Sequence, residues 1–455
     1  ILSEFMEAIR KAKKSDLAIL EEKYNESGNQ LVVLYSRKGC QKEELIKEFI
    51  GDKKYFYYRC RQAAADDQRR MMGAEIEKQF DARLNQHTYD EFFNRIKSGD
   101  PSKLVVVIDE AQNVIKRDPD FIGSILRLKE KKLYPGPVMI ILASSSIVWA
   151  EQEAKEYFKD TMKIGELNFL EVVREFPTLQ VKDAIMIYGV LGGVPEYLDE
   201  WNPAMNFKKN ICRLVLSPQG VLFNEAENLI SRELRELSVY ETILAAIAKG
   251  QDKLNDLFHE TGFSRAKISV YMKNLSHFDI VNRVVSFETG GWDNAKKGVY
   301  QITDTFVNFW FKFVYPHLSD LYLMSEEEFY NTYIAGEIDE YLNRYFRNVC
   351  MEYLMILNQM GKLPFKITKV GTWIGKTGNI DIIAQSEDRR NIIGFCNWNE
   401  PEMTMAMCEQ MAVAMDKAKL TSDDYYLFSA TYFEPALKQY VKMDPRFKLI
   451  NMNEL

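Results

Sequence analysis

Two short stretches bring together residue types that could work on a phosphate. In "LVVLYSRKGCQKEELIKEF" (Leu31–Phe49) an apolar run passes through the loop Ser36–Gln41 to Lys42, which opens an amphipathic helix. In "LVVVIDE" (Leu104–Glu110) a second apolar run ends in two adjacent carboxylates, Asp109 and Glu110. A strand that turns into a helix start aims backbone N–H groups and the positive helix end at one point, which suits a phosphate. Carboxylates at the end of a neighbouring strand can hold a divalent cation and orient a water. The candidate nucleotide-binding residues are therefore Ser36, Arg37, Lys38, Gln41, Lys42 and Glu43, with Asp109 and Glu110 as the candidate catalytic pair. Glycines normally give such a loop its dihedrals and let backbone approach the phosphates; around Lys42 they are mostly missing.

The elements that must position these residues read as strands alternating with helices. "QLVVLYS" (Gln30–Ser36), "KYFYYRC" (Lys54–Cys60), "KLVVVIDEAQ" (Lys103–Gln112) and "PVMIILASSS" (Pro137–Ser146) are short apolar runs, between which lie helical periods over 42–50, 66–98 and 121–132. Residues 1–30 also read as helical. That alternation predicts a parallel sheet covered on both faces. From residue 168 the pattern is helical, with a Gly-Gly-x-Pro turn in "YGVLGGVPEYLDEW" (Tyr188–Trp201). Near Ser238 three helices and a hairpin follow in the order of a winged helix-turn-helix, its third helix capped by Ser264. From about residue 326 come a long helix (Glu337–Met360), strands at Asn379–Gln385, Asn391–Trp398 and Tyr425–Ser429, and a helix over 401–418. The expected architecture is α/β and multidomain: a sheet-based core over 1–167, a helical lid over 168–237, a winged helix over 238–325 and an α/β domain over 326–455.

Composition narrows the classes. The 455 residues exceed a single core, and 46% apolar with 27% charged residues is globular usage. A formal charge of −7 gives no overall attraction to nucleic acid or anionic lipid, so such binding needs a local patch. Six scattered cysteines (Cys40, Cys60, Cys212, Cys350, Cys396, Cys408) without a CxxC pair, and four histidines, argue against a zinc site and for a reducing, cytoplasmic setting. No metal ligand set is expected on that basis. No apolar run reaches 18 residues and no signal peptide is read, so no membrane partner is expected. Cys40, in the loop near a helix start, has the place of a reactive thiol.

The ordered set of strand-loop-lysine, IDE, LGGVPEYL, the RELRE helix, the winged helix and "KGVYQITDTFVNFWFKFVYP" resembles the prokaryotic, archaeal-type AAA/P-loop ATPases that end in a restriction-endonuclease-like domain of unknown function. The resemblance spans nearly the whole chain and implies ATP and Mg²⁺ as cofactors. The family's loop resembles YGRRRVGKTELI. Laid on Tyr35–Ile46 it matches Tyr35, Arg37, Lys42, Glu44, Leu45 and Ile46, whereas Ser36 and Gln41 replace glycines and Glu43 replaces the threonine. A non-glycine in the left-handed region costs about 1–2 kcal/mol, and the Gln41 side chain is expected to fill phosphate space. Glu43 puts a carboxylate where the family offers Mg²⁺ a hydroxyl. At about 4 Å from a phosphate charge it is repelled by roughly 4 kcal/mol at an effective dielectric near 20, about a thousandfold in affinity. The family's finger arginines also have no counterpart in "EYFKDTMKI" (Glu156–Ile164).

The resemblance implies a nuclease-type metal site in the last domain, with patterns like FEEIC, EID and GECKW. This chain has "FRNVC" (Phe346–Cys350), "NID" (Asn379–Asp381) and "GFCNW" (Gly394–Trp398). Asp381 alone remains as a ligand, with Phe395 in place of the second carboxylate and Asn397 in place of the lysine; nuclease chemistry is not expected. The third helix of the winged unit offers Ser264, Arg265, Lys267, Ser269, Tyr271 and Lys273 as DNA-binding candidates, and the wing offers Lys296 and Lys297. Eight Lys/Arg against seven Asp/Glu over 238–303 leave its charge near neutral. The leading expectation is an ATPase-type scaffold with its hydrolysis impaired, carrying protein or nucleic-acid partners. An ATP/ADP-binding switch and a DNA-binding regulator are the two alternatives left open.

Overall fold

The computed structural model describes residues 15–96, 101–134, 136–289, 298–375 and 378–454. The described residues up to 166 form one compact unit, and those from 167 onward form another.

The first unit runs α1 (Asp16–Asn25), β1 (Gln30–Tyr35), α2 (Lys42–Ile50), β2 (Tyr55–Arg59), α3 (Ala65–Phe80), α4 (Tyr89–Arg95), β3 (Leu104–Asp109), α5 (Asp120–Lys129), β4 (Val138–Ser144) and β5 (Thr161–Lys163). Its five strands lie in the order β2-β3-β4-β1-β5, with every pairing parallel. Strands β3 and β4 are buried along their whole length, as their unbroken apolar runs require when helices cover both faces. Leaving β1, the chain passes over two strands to reach β2. Leaving β4, it passes β1 to place β5 on the other side. The carboxyl end of β1 is therefore a switch point of the sheet, where open α/β folds form ligand crevices. Helix α2 buries Lys42, Ile46 and Phe49, its i, i+4 and i+7 positions. The lysine thus sits on the face that carries Ile46 and Phe49 into a core with Leu20, Val32, Val105 and Ile141.

The 66–98 reading divides in two. Helix α3 stops at Phe80 with Asp81 in the left-handed region (φ 47°), and α4 starts afresh with Thr88 accepting from the Glu91 N–H; residues 97 and 98 lie outside the described residues. Asp tolerates that conformation through its short polar side chain, so the break has no Gly or Pro to announce it. Helix α5 likewise ends at Lys129, before Lys131 at φ 62°. Of the helical reading over 1–30, residues 1–14 lie outside the described residues and α1 accounts for 16–25.

In the second unit, α6 (Val181–Leu191) leads to the Gly192–Gly193 turn. A Cβ on Gly193 would lie 1.8 Å from the Leu167 carbonyl oxygen, so the backbones meet only because that position is glycine. Helices α7 (Leu237–Ala248), α8 (Leu254–Thr261) and α9 (Arg265–His277) precede the antiparallel pair β6 (Val281–Val285) and β7 (Gly298–Ile302). Helix α10 (Thr305–Phe313) buries six of its nine residues, among them Phe309 and Trp310. The long α11 (Ile338–Gln359) precedes a mixed sheet of β8 (Lys369–Ile374), β9 (Asn379–Gln385), β10 (Asn391–Asn397), β12 (Asp424–Ser429) and β14 (Phe447–Asn451), in the order β14-β12-β10-β9-β8. A two-residue pair, β11 (Glu402–Met403) with β13 (Tyr432–Phe433), flanks α12 (Met405–Ala418). The helix read over 401–418 thus begins four residues later, after a short strand. Strands β5, β8 and β14 carried no reading in the sequence.

Candidate functional site

The carboxyl ends of β1, β2 and β3 frame a cavity of about 680 Å³, lined among others by Ser36, Arg37, Lys42, Glu43, Arg59 and Glu110. The loop that closes it is anchored first. The Ser36 N–H donates to the Ser144 carbonyl (3.2 Å), and Arg37 reaches Glu166 (3.0 Å). Lys38 is exposed. Cys40 turns into the apolar core, so the reactive setting expected for it is not met: a buried thiol in apolar surroundings is inert. Gln41 precedes α2 at φ 54° and ψ 37°, the left-handed conformation a glycine would take, and gives the helix no side-chain cap. Its side chain is exposed and does not line the cavity, which corrects the expectation that it fills phosphate space.

The buried cation on the cavity wall is Lys42. It is 1% exposed and donates from Nζ to Asp109 Oδ1, with Glu43 Oε1 and Glu110 Oε1 each 3.4 Å away. Burial pulls its pKa down, but Asp109 and Glu43 outweigh that and hold the amine above its ordinary value. Asp109, fully buried, also accepts from the Glu110 N–H (3.0 Å) on Oδ1 and from the Tyr57 hydroxyl (2.8 Å) on Oδ2. Burial and the Asp109 charge push the Tyr57 phenol up. Glu110 stands at φ 53°, and its Oε2 accepts from Gln112 (2.6 Å) and Ser145 (2.7 Å). Arg59 completes the group, with Nη1 3.6 Å from Glu43 and 3.4 Å from Asp109, and Nη2 4.0 Å from Glu110. Two cations face three carboxylates.

The six loop residues and the acidic pair are therefore brought to one edge of the sheet, where exposed Lys38 lines the cavity and Gln41 does not. Arg59, Tyr57, Gln112 and Ser145 carried no role in the sequence reading. Arg59 becomes a site residue because β2 pairs with β3 and sets it opposite Asp109; the only local signal is a cation at a strand end. Glu43, Asp109 and Glu110 also form a carboxylate trio with oxygens within 4.8 Å of one another, a grouping the expectation of no metal set had not named. Could these residues hold magnesium and a nucleotide? Both Asp109 oxygens already have partners, a carboxylate stands in place of the hydroxyl, and Lys42 is spent on the carboxylates rather than offered to a phosphate. As arranged, the residues present do not fit a magnesium nucleotide.

The residues singled out in the second unit are more dispersed. Asp381 Oδ1 lies 3.6 Å from Arg347, and its Oδ2 accepts from the Cys396 N–H (3.0 Å). Burial pushes its carboxyl up, against a smaller pull down from Arg347. Phe395 packs on the apolar core between the sheet and α12. Asn397 is buried, and its Nδ2 donates to Glu400, Ser429 and Thr431. Among the described residues, no cluster of three metal-ligating side chains includes Asp381. On α9, Ser264 caps the helix, and Arg265, Lys267 and Lys273 are exposed. Arg265 stacks on Phe258 (4.1 Å) and Lys267 on Phe263 (4.4 Å). Lys296 and Lys297 lie outside the described residues. No helix among the described residues is long and apolar enough to cross a membrane.

Residues 310–411 match a family described as archaeal and bacterial proteins of unknown function. An uncharacterized protein of Methanocaldococcus jannaschii is 26% identical over 396 residues, 85% of this chain and 87% of that one. Among solved structures, a Walker-type ATPase of Pyrococcus abyssi aligns with a TM-score of 0.49 at 15% identity, over 66% of this chain and 95% of that one. The ORC1 protein of Aeropyrum pernix, solved in complex with DNA, aligns at 0.32 and 11% identity over 68% and 94%.

Proposed function

We propose that this chain is an ATPase-type protein whose phosphate-binding loop no longer turns over nucleotide, and that it acts as a scaffold for protein or nucleic-acid partners. The observation that carries this reading is Lys42. It is buried and committed to Asp109, with Glu43 and Glu110 at 3.4 Å, so the group that should greet a phosphate instead neutralises its own carboxylates. The parallel sheet, with its loop at the switch point, supports an origin as a nucleotide-binding core. The three helices and hairpin of 238–302 support a winged-helix contact module, whose exposed α9 face offers Arg265, Lys267 and Lys273. The mixed sheet behind α11, with Asp381 paired to Arg347, supports a restriction-endonuclease-like domain kept for shape rather than for cutting. The helices between 168 and 237 make the lid in this division.

The expected result in a phosphate-release assay at millimolar ATP and Mg²⁺ is a rate no higher for the wild type than for Glu110→Gln. That substitution keeps the shape and removes the charge that would orient a water. A wild-type rate well above the variant's overturns the reading.

A further inference from the structure

Arg59 does more than decorate the rim. The three carboxylates around Lys42 place one oxygen each within 4.8 Å of the others, a spacing that a divalent cation with oxygen ligands could bridge. The Arg59 guanidinium lies within 4.0 Å of an oxygen of every one of them. Lys42 alone leaves two negative charges uncompensated beside a fully buried Asp109, and unpaired buried charge is strongly unfavourable. Glu110 is only 7% exposed, and its Oε1 has no hydrogen-bond partner among the described residues. That atom is held by charge alone, from Lys42 at 3.4 Å and Arg59 at 4.0 Å. Arg59 reaches this place because the β2–β3 register sets it opposite Asp109.

An isolated surface ion pair would be worth little, and Arg59 is 53% exposed. Its partners, however, are one intermediate and two buried carboxylates at a single point, not a freely solvated side chain.

We propose that Arg59 is a built-in counter-ion, taking the place between Glu43, Asp109 and Glu110 that a divalent cation would take, so that with Lys42 it cuts the charge of the three carboxylates to one net negative without metal. This deepens the reading above and rests on it for the identity of the site, though its test is independent of turnover.

The experiment is calorimetric and paramagnetic-resonance titration of the full chain with Mn²⁺ in the absence of nucleotide. Arg59→Met, at a half-exposed position, is expected to bind one Mn²⁺ at least about tenfold tighter than the wild type, since a unit charge near the ion has been removed. Arg59→Lys should keep the weak binding of the wild type, and adding Glu43→Gln to Arg59→Met should abolish the gain. Mn²⁺ binding as tight in the wild type as in Arg59→Met overturns the proposal. So does a gain that survives Glu43→Gln. ATP turnover by the wild type with the Mn²⁺ pattern intact would instead overturn the functional reading and leave this one standing.

Discussion

Lys42→Ala destabilises the first unit by about 3–5 kcal/mol, the effect of removing one partner from a buried ion pair. In a loop that waits for phosphate, the lysine is a ligand contact, and its loss leaves the fold indifferent. Here the amine is 1% exposed and stands among three carboxylates, one of them fully buried. Without it Asp109 keeps a charge that Arg59, the Tyr57 hydroxyl and the Glu110 N–H are left to address. The sign of the pH dependence follows from the raised pKa. A lysine held above its unfolded value, about 10.4, contributes its full stabilisation below that pH and loses it only as pH rises through the higher folded value. The cost of Lys42→Ala should therefore be constant across neutral pH. Hydrogen exchange of the β1 and β3 amides, which reports the first unit alone, measures it. Lys42→Met with Asp109→Asn removes both charges and should recover part of the loss. A single-variant effect under about 1 kcal/mol would mean that the lysine is held by something other than these carboxylates.

Gln41→Gly with Glu43→Thr should restore magnesium-nucleotide binding by about a hundred- to a thousandfold. Two separate obstacles are removed. Gln41 is held at φ 54°, a conformation that costs a non-glycine about 1–2 kcal/mol and that glycine adopts freely. Glu43 lies 3.4 Å from Lys42 and competes with any phosphate for it. Removing a carboxylate about 4 Å from a phosphate charge is worth roughly 4 kcal/mol at an effective dielectric near 20. Its side chain is 35% exposed, and solvent screening trims that figure, hence the lower end of the range. A threonine also returns a hydroxyl suited to Mg²⁺. Calorimetry with Mg-ATP separates the outcomes: a double variant that binds no tighter than the wild type would place the obstacle elsewhere, with Arg59 the next residue to change.

The strands that build the site were legible because parallel strands covered on both faces need long apolar runs, and Leu31–Tyr35, Leu104–Ile108 and Val138–Ala143 supply them. Lys42 and the Asp109–Glu110 pair were legible from their place at the ends of those runs. The left-handed backbone at Gln41 was legible too, from the glycine it replaces. Where its side chain points was not, because that depends on how α2 rotates to bury Ile46 and Phe49. Arg59 and Tyr57 were invisible for a different reason. Their roles arise from β2 lying beside β3, a pairing between residues some fifty positions apart that no local pattern encodes. Short or half-exposed strands such as Thr161–Lys163 and Lys369–Ile374 left too little periodicity to read. The break at Asp81 has no glycine or proline to mark it.

One titration bears most directly on whether the chain's own charges have closed the phosphate site. The melting of the wild-type protein is followed with rising Mg-ATP to millimolar concentration. Closure predicts no change. A ligand at a hundred times its Kd would add about 2.7 kcal/mol to the stability of the unit that binds it, and a shift of that size, lost in Lys42→Met, would contradict the account.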